Sequence, residues 1–136
     1  MPSSALDSLY SLVSNPQEEL ELVRRGIKPA AIDAFMKEQD FSVKDVLERL
    51  KISRTTYFSR KKFKKNLDSA MTERLLRLVQ VVKKAKKVLG PREARVWVYR
   101  PIPSLGNQKP IDLLDTEPGH RLVESALLQI EYGIYG

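Results

Sequence analysis

The 136 residues, 42% of them hydrophobic, can build one domain of ordinary size or two small helical ones sharing an interface. With no cysteine and a single histidine, disulfides, thiol catalysis, thiolate metal sites and a histidine-built metal cluster are excluded, and no catalytic residue, metal or cofactor is expected. The net charge of +7 hides an uneven split: residues 1–100 carry 22 basic against 12 acidic residues, or +10, and residues 101–136 carry two against five, or −3. A basic body suits a polyanion, and a weakly acidic, apolar end suits contact with another protein. No apolar run approaches the roughly 20 residues that span a bilayer, and the start lacks a basic segment followed by an apolar core, so a cytoplasmic protein is expected.

In chain order, Leu6, Leu9, Tyr10 and Val13 fall on one side of a short amphipathic helix between Ser3 and Val13. Asn15-Pro16 interrupts it, and Pro16 suits the first turn of a second helix with Leu20, Leu22 and Val23 apolar and Gly26 as its stop. Residues 1–25 are either part of the core or an arm laid against it for docking or dimerisation. Pro29 opens a third helix, in which Ala31, Ile32, Phe35 and Met36 repeat at helical spacing.

Phe41 to Leu67 reads as a helix-turn-helix. Val43, Val46, Leu47 and Leu50 share one helix face, with Ser42 and Asp45 as a capping pair. Lys51-Ile52-Ser53 makes the turn, Ile52 points back to the core, and Ser53 caps a second helix beginning at Arg54. From Arg49 to Asn66 there are eight Lys or Arg residues and no acid. If Tyr57 packs inward, Arg54, Thr55, Phe58 and Ser59 face a DNA groove, Arg54 towards guanine and Thr55 and Phe58 towards a thymine methyl. Arg60, Lys61, Lys62, Lys64 and Lys65 then serve phosphates. The competing reading is a three-helix core with a solvated basic edge.

Beyond Leu67, Asp68-Ser69 and Thr72-Glu73 supply caps for the longest helix, carrying Met71, Leu75, Leu78, Val79, Val82, Ala85 and Leu89 and ending at Gly90-Pro91. Leu75, Leu76, Val79 and Val82 extend the apolar surface past one narrow stripe, which points to a symmetric dimer across this helix. Lys83, Lys84, Lys86 and Lys87 form either a solvated face or a second phosphate contact. A short helix then carries Val96, Trp97 and Tyr99; Pro101-Ile102-Pro103 requires extended backbone; and Leu105-Gly106-Asn107 makes a turn with positive φ at Gly106 or Asn107. Pro110 opens another short helix. Thr116 caps the last one, with Leu122, Val123, Ala126, Leu127 and Ile130 as its buried stripe and His120 as a surface residue. Asp112, Asp115 and Glu117 read as caps and solvated charges rather than an acid–base site. The chain closes on Glu131-Tyr132-Gly133-Ile134-Tyr135-Gly136, whose aromatic and apolar residues suggest insertion into a partner. The fold expected is all-α, a helix-turn-helix domain joined by a long helix to a small helical C-terminal domain.

Trp97, Pro101, Leu105-Gly106, Pro110-Ile111-Asp112-Leu113-Leu114, Gly119, Val123, Leu127 and Ile130 to Gly133, in this order and spacing, resemble the toxin-binding domain of the Xre/MbcA/ParS antitoxins. Ser53, Thr56, Arg60, Leu67, Ser69, Glu73, Arg74 and Leu75 are similar to the Xre-like helix-turn-helix of the same family. The resemblance runs from about Gly26 to the end and leaves residues 1–25 outside. The family commonly carries Pro-Asn and Gly-Gly where this chain has Pro101-Ile102-Pro103 and Gly106-Asn107, which implies a loop of different shape.

Beside the N-terminal helical extension read over residues 1–25, the resemblance implies a DNA-binding domain over 26–69 and a toxin-binding domain over 70–136. It implies a non-enzymatic antitoxin of a type II toxin–antitoxin pair, which binds a RES-domain toxin of ADP-ribosyltransferase type that attacks NAD, and which represses its own operon. The implied partners are that toxin and operator DNA, with the chain a homodimer inside a larger complex. Trp97, Leu105, Pro110, Leu113, Glu131, Tyr132, Gly133, Ile134, Tyr135 and Gly136 are the expected toxin contacts, the terminal segment acting as a plug for the NAD cleft. The alternative is a stand-alone dimeric helix-turn-helix regulator; an adaptor using only its C-terminal surface is a third reading.

Overall fold

The computed structural model describes residues 15–133, so the helix expected over Ser3–Val13 and the contacts assigned to Ile134, Tyr135 and Gly136 lie outside the described residues. The fold is all-α, with α1 Pro16–Arg25, α2 Pro29–Gln39, α3 Val43–Leu50, α4 Arg54–Lys62, α5 Ser69–Leu89, α6 Pro91–Val98 and α7 Glu117–Glu131. Two single turns of 3-10 helix, Pro103–Leu105 and Pro110–Leu113, join α6 to α7. The chain divides at Val79/Gln80 into two compact units, and α5 contributes to both.

The first unit is nucleated by local caps. The Asn15 side chain accepts from the amides of Gln17 and Glu18, Ser42 Oγ from Asp45 at 3.0 Å, and Ser53 Oγ from Thr56 at 3.1 Å. Each satisfies amide donors that the start of a helix leaves open. Lys51 takes the left-handed conformation that ends α3, and buried Ile52 pins the turn, so α4 starts within a few residues of the end of α3. Ile32, Phe35, Val46, Leu47, Leu50 and Tyr57 fill the core.

The chain returns to this core through Gly26, at φ 89°, where a Cβ would lie 2.2 Å from the Leu67 carbonyl oxygen. Thr72, expected as a cap of α5, is instead fully buried, and its Oγ1 accepts from the Ile27 amide at 3.1 Å. The capping role falls to Asp68, whose Oδ1 accepts from Met71 at 2.8 Å. Thr72→Val strands the Ile27 N–H in a dry site and is expected to destabilise by about 1–3 kcal/mol, while Thr72→Ser stays close to the parent; chemical denaturation checks both.

In the second unit Gly90, at φ 89°, separates α5 from α6. Ala94, Trp97, Val98, Leu105, Ile111, Leu114, Val123 and Leu127 are buried. Of the extended backbone expected across Pro101 to Pro103, only Ile102 is described as extended, and Pro103 enters a 3-10 turn, whose φ proline also accommodates. The loop closes through Asn107 N donating to Ile102 O at 3.0 Å and Ile102 N to Gln108 O at 3.1 Å, with both Gly106 and Asn107 at positive φ. Thr116 Oγ1 caps α7 by accepting from the Gly119 amide at 3.1 Å.

Two expectations on α7 are corrected. His120 is 6% exposed and therefore inside, and Leu122 is 55% exposed and therefore outside. The buried line runs through positions 120, 123 and 127, and Leu122 stands about 100° to one side of Val123. On α5, Leu75, Leu76, Val79 and Val82 are all buried within the chain, so none is left over for a dimer seam along that helix.

Candidate functional site

In the first unit Tyr57 sets the rotation of α4. Its ring is buried and its hydroxyl donates to the Asp33 carboxylate, turning Arg54, Thr55, Phe58 and Ser59 outward. Phe58 is 45% exposed among cations, with the Arg54 guanidinium and Lys61 Nζ each 5.8 Å from its ring centre. Such a surface combines fixed positive charge with an apolar face for a methyl group or a base.

The cations expected to serve phosphates divide into two groups. Lys62, Lys64 and Lys65 are exposed. Lys61 pairs with Asp33 at 2.8 Å, and Arg60 is half-buried and donates to the Asn66 carbonyl, holding the turn after α4. Lys61 and Lys64 also line a cavity of about 430 Å³ together with Lys28, which sequence reasoning did not select. Phe63, equally unselected, is 63% exposed with Lys62 Nζ 5.4 Å from its ring centre. Its position one step past the end of an amphipathic pattern gave no signal of its own.

In the second unit Trp97, Leu105 and Pro110 are buried and Leu113 is half-buried, so the expected partner contacts there shape the surface from beneath. Gly119 lets α7 approach the second 3-10 turn, since a Cβ would stand 1.8 Å from the Leu113 carbonyl oxygen. Tyr132 is 71% exposed, and Gly133 is exposed with φ 70°. The exposed side of α7 carries Leu122, Ser125, Leu128 and Tyr132, and neither leucine was singled out from sequence as a contact.

Glu131 Oε1 accepts from Lys84 Nζ at 2.8 Å. That hydrogen bond, opposed by desolvation and reinforced by the charges of Lys84 and Lys87, holds the carboxyl below its ordinary range. A lowered folded-state value means the pair stabilises above the unfolded pKa and ceases to do so as pH falls through the folded one. Protection of the amides at the end of α7, taken relative to their intrinsic exchange rates at each pH, is therefore expected to fall on acidification in the parent, and to lose that dependence in Lys84→Met.

No helix among the described residues is long and apolar enough to cross a membrane. Residues 18–80 match the family model of the antitoxin Xre-like helix-turn-helix domain, which begins earlier than the resemblance read from sequence. Residues 84–133 match that of the antitoxin Xre/MbcA/ParS C-terminal toxin-binding domain. Similar curated proteins include the Antitoxin Xre of Photorhabdus laumondii, 29% identical over 115 residues, covering 83% of this chain and 78% of that protein. Another is the Prs ADP-ribosylating antitoxin of a Sphingobium species, 25% identical over 144 residues, covering 98% of this chain and 89% of that protein. Both halves of one antitoxin architecture are thus present in order, with only residues 81–83 between them, and the chain belongs to the Xre/MbcA/ParS antitoxin family.

Proposed function

We propose that this antitoxin neutralises a RES-domain toxin of ADP-ribosyltransferase type and represses its own operon. The observation that carries the reading is the pairing, in one chain, of an outward cationic helix with a C-terminal unit ending in exposed Tyr132 and Gly133. The name of the Sphingobium relative, which joins an antitoxin to ADP-ribosylation of Prs, supports a toxin with that chemistry. Residues 26–69 serve DNA and residues 70–136 serve the toxin, the protein acting as a homodimer in the complex. The antitoxin contributes no catalysis: its terminal segment from Tyr132 to Gly136 enters the NAD cleft, with aromatic rings for stacking and a terminal carboxylate for cationic side chains.

The test is NAD consumption by the RES-domain toxin proposed as this chain's partner. The full protein suppresses it, and a protein lacking Tyr132–Gly136 leaves NAD consumption running. Undiminished inhibition by the shortened protein would remove the tail from the mechanism. A chain that purifies without the toxin and still represses would instead be a stand-alone regulator.

A further inference from the structure

We infer that the outer face of α7, from Leu122 to Tyr132, is the surface by which the toxin is gripped, continuous at Tyr132 with the terminal segment that blocks its cleft. This rests on the reading of the chain as a toxin-neutralising protein and adds where its affinity resides. Leu122 is 55%, Leu128 43% and Tyr132 71% exposed, and with Ser125 and Gln129 between them they share about one third of the helix circumference. The stripe is roughly 15 Å long at 1.5 Å per residue.

It carries no charge, which is unusual for the solvent side of a helix. The acidic residues that could have supplied one are turned aside. Glu124 lies 3.6 Å from His120 Nε2, and Glu131 is held by Lys84. Arg121, on the same face one turn before Ser125, borders the stripe at its start and is paired with Glu117, so the charge-free part begins at Leu122. An uncharged face carrying three large apolar side chains lowers free energy when an apolar groove covers it.

The toxin is the occupant for two reasons. The match to a toxin-binding domain over residues 84–133 takes in the whole of α7. The stripe also runs without interruption into Tyr132, where the chain leaves the helix towards its terminal segment. Grip by an apolar helix face and blockage by the tail then become separable properties of one interface. The grip is nearly indifferent to salt, because screening acts on charges and the stripe has none.

The experiment measures affinity for the RES-domain toxin proposed above as the partner, using the whole 136-residue chain. Leu122→Gln with Leu128→Gln places helix-compatible polar groups at positions already exposed, and melting by circular dichroism verifies the fold. The expected result is about 100-fold weaker binding, in the range of central interface residues. Removal of Ile134–Gly136 leaves affinity within about 3-fold while NAD turnover returns, and parent affinity changes less than about 3-fold between 0.1 and 1 M NaCl. Parent-like affinity in the double variant overturns the inference while leaving the neutralising function intact. A parent dimer that the double variant disperses, with toxin affinity unchanged, assigns the face to a second copy and likewise overturns it. Failure of the parent protein to bind the toxin at all removes the functional reading itself.

Discussion

Gly119→Ala is expected to cost the C-terminal unit upwards of about 3 kcal/mol, lowering its melting temperature by more than about 10 °C. The added Cβ would stand 1.8 Å from the carbonyl oxygen and 2.8 Å from the carbonyl carbon of Leu113. Both are backbone atoms, so no rotamer change relieves the clash; α7 or the second 3-10 turn has to move. Moving α7 draws Val123 and Leu127 out of the core and loosens the Thr116 cap, whose partner is the Gly119 amide itself. Gly90→Ala separates clash from conformational preference. Gly90 sits at φ 89° and ψ 157°, a backbone region kept almost entirely by glycine, and a Cβ added there would meet nothing within 4 Å, so backbone strain of about 1–3 kcal/mol without a packing clash is expected. Thermal melts of the two variants should therefore differ widely, and Gly119→Ala should lose toxin binding at temperatures where Gly90→Ala retains it.

The second large effect concerns DNA. Replacing Lys62, Lys64 and Lys65 together by alanine is expected to reduce the slope of log K against log salt by about 2.7, at roughly 0.9 per phosphate contact. These three are exposed, so the loss should appear in binding and leave stability untouched. Arg60 and Lys61 should behave differently. Arg60 holds the Asn66 carbonyl and Lys61 the Asp33 carboxylate, so their removal disturbs the turn and the seat of Tyr57 as well as any phosphate. Arg54→Ala and Phe58→Ala are expected to erode discrimination between operator and random duplex by about 1–3 kcal/mol each with little change of slope. Titration of labelled operator at several salt concentrations reads both quantities.

Much of this architecture is legible in the residues because it depends on local chemistry. Ser42, Ser53 and Thr116 each lie three residues before the amide they cap, and Gly26 and Gly90 stand where helices stop. The inward turn of Tyr57 enters the sequence reading as a condition, and the buried ring meets it. What periodicity cannot supply is the use of polar side chains across long separations. Thr72 meets Ile27 across 45 residues and Tyr57 meets Asp33 across 24, so neither the loss of Thr72 as a cap nor the engagement of Lys61 by Asp33 has a local signature. On α7, leucines occupy both sides of the helix, and hydrophobicity by itself does not say which side the core takes. Choosing Leu122 for the interior and His120 for the surface reverses the two, because the tight Gly119 contact fixes the rotation. The same bias towards large apolar residues as contacts selects Trp97 and Leu105, which the core has already taken.

The direct measurement is co-expression of this chain with the RES-domain toxin proposed as its partner, followed by purification in 1 M NaCl and assay of NAD. A neutralising antitoxin with an apolar grip yields growing cells, a complex that stays together in high salt, and NAD left intact. Cells that die with the antitoxin present, or a toxin that elutes alone and consumes NAD, would contradict it.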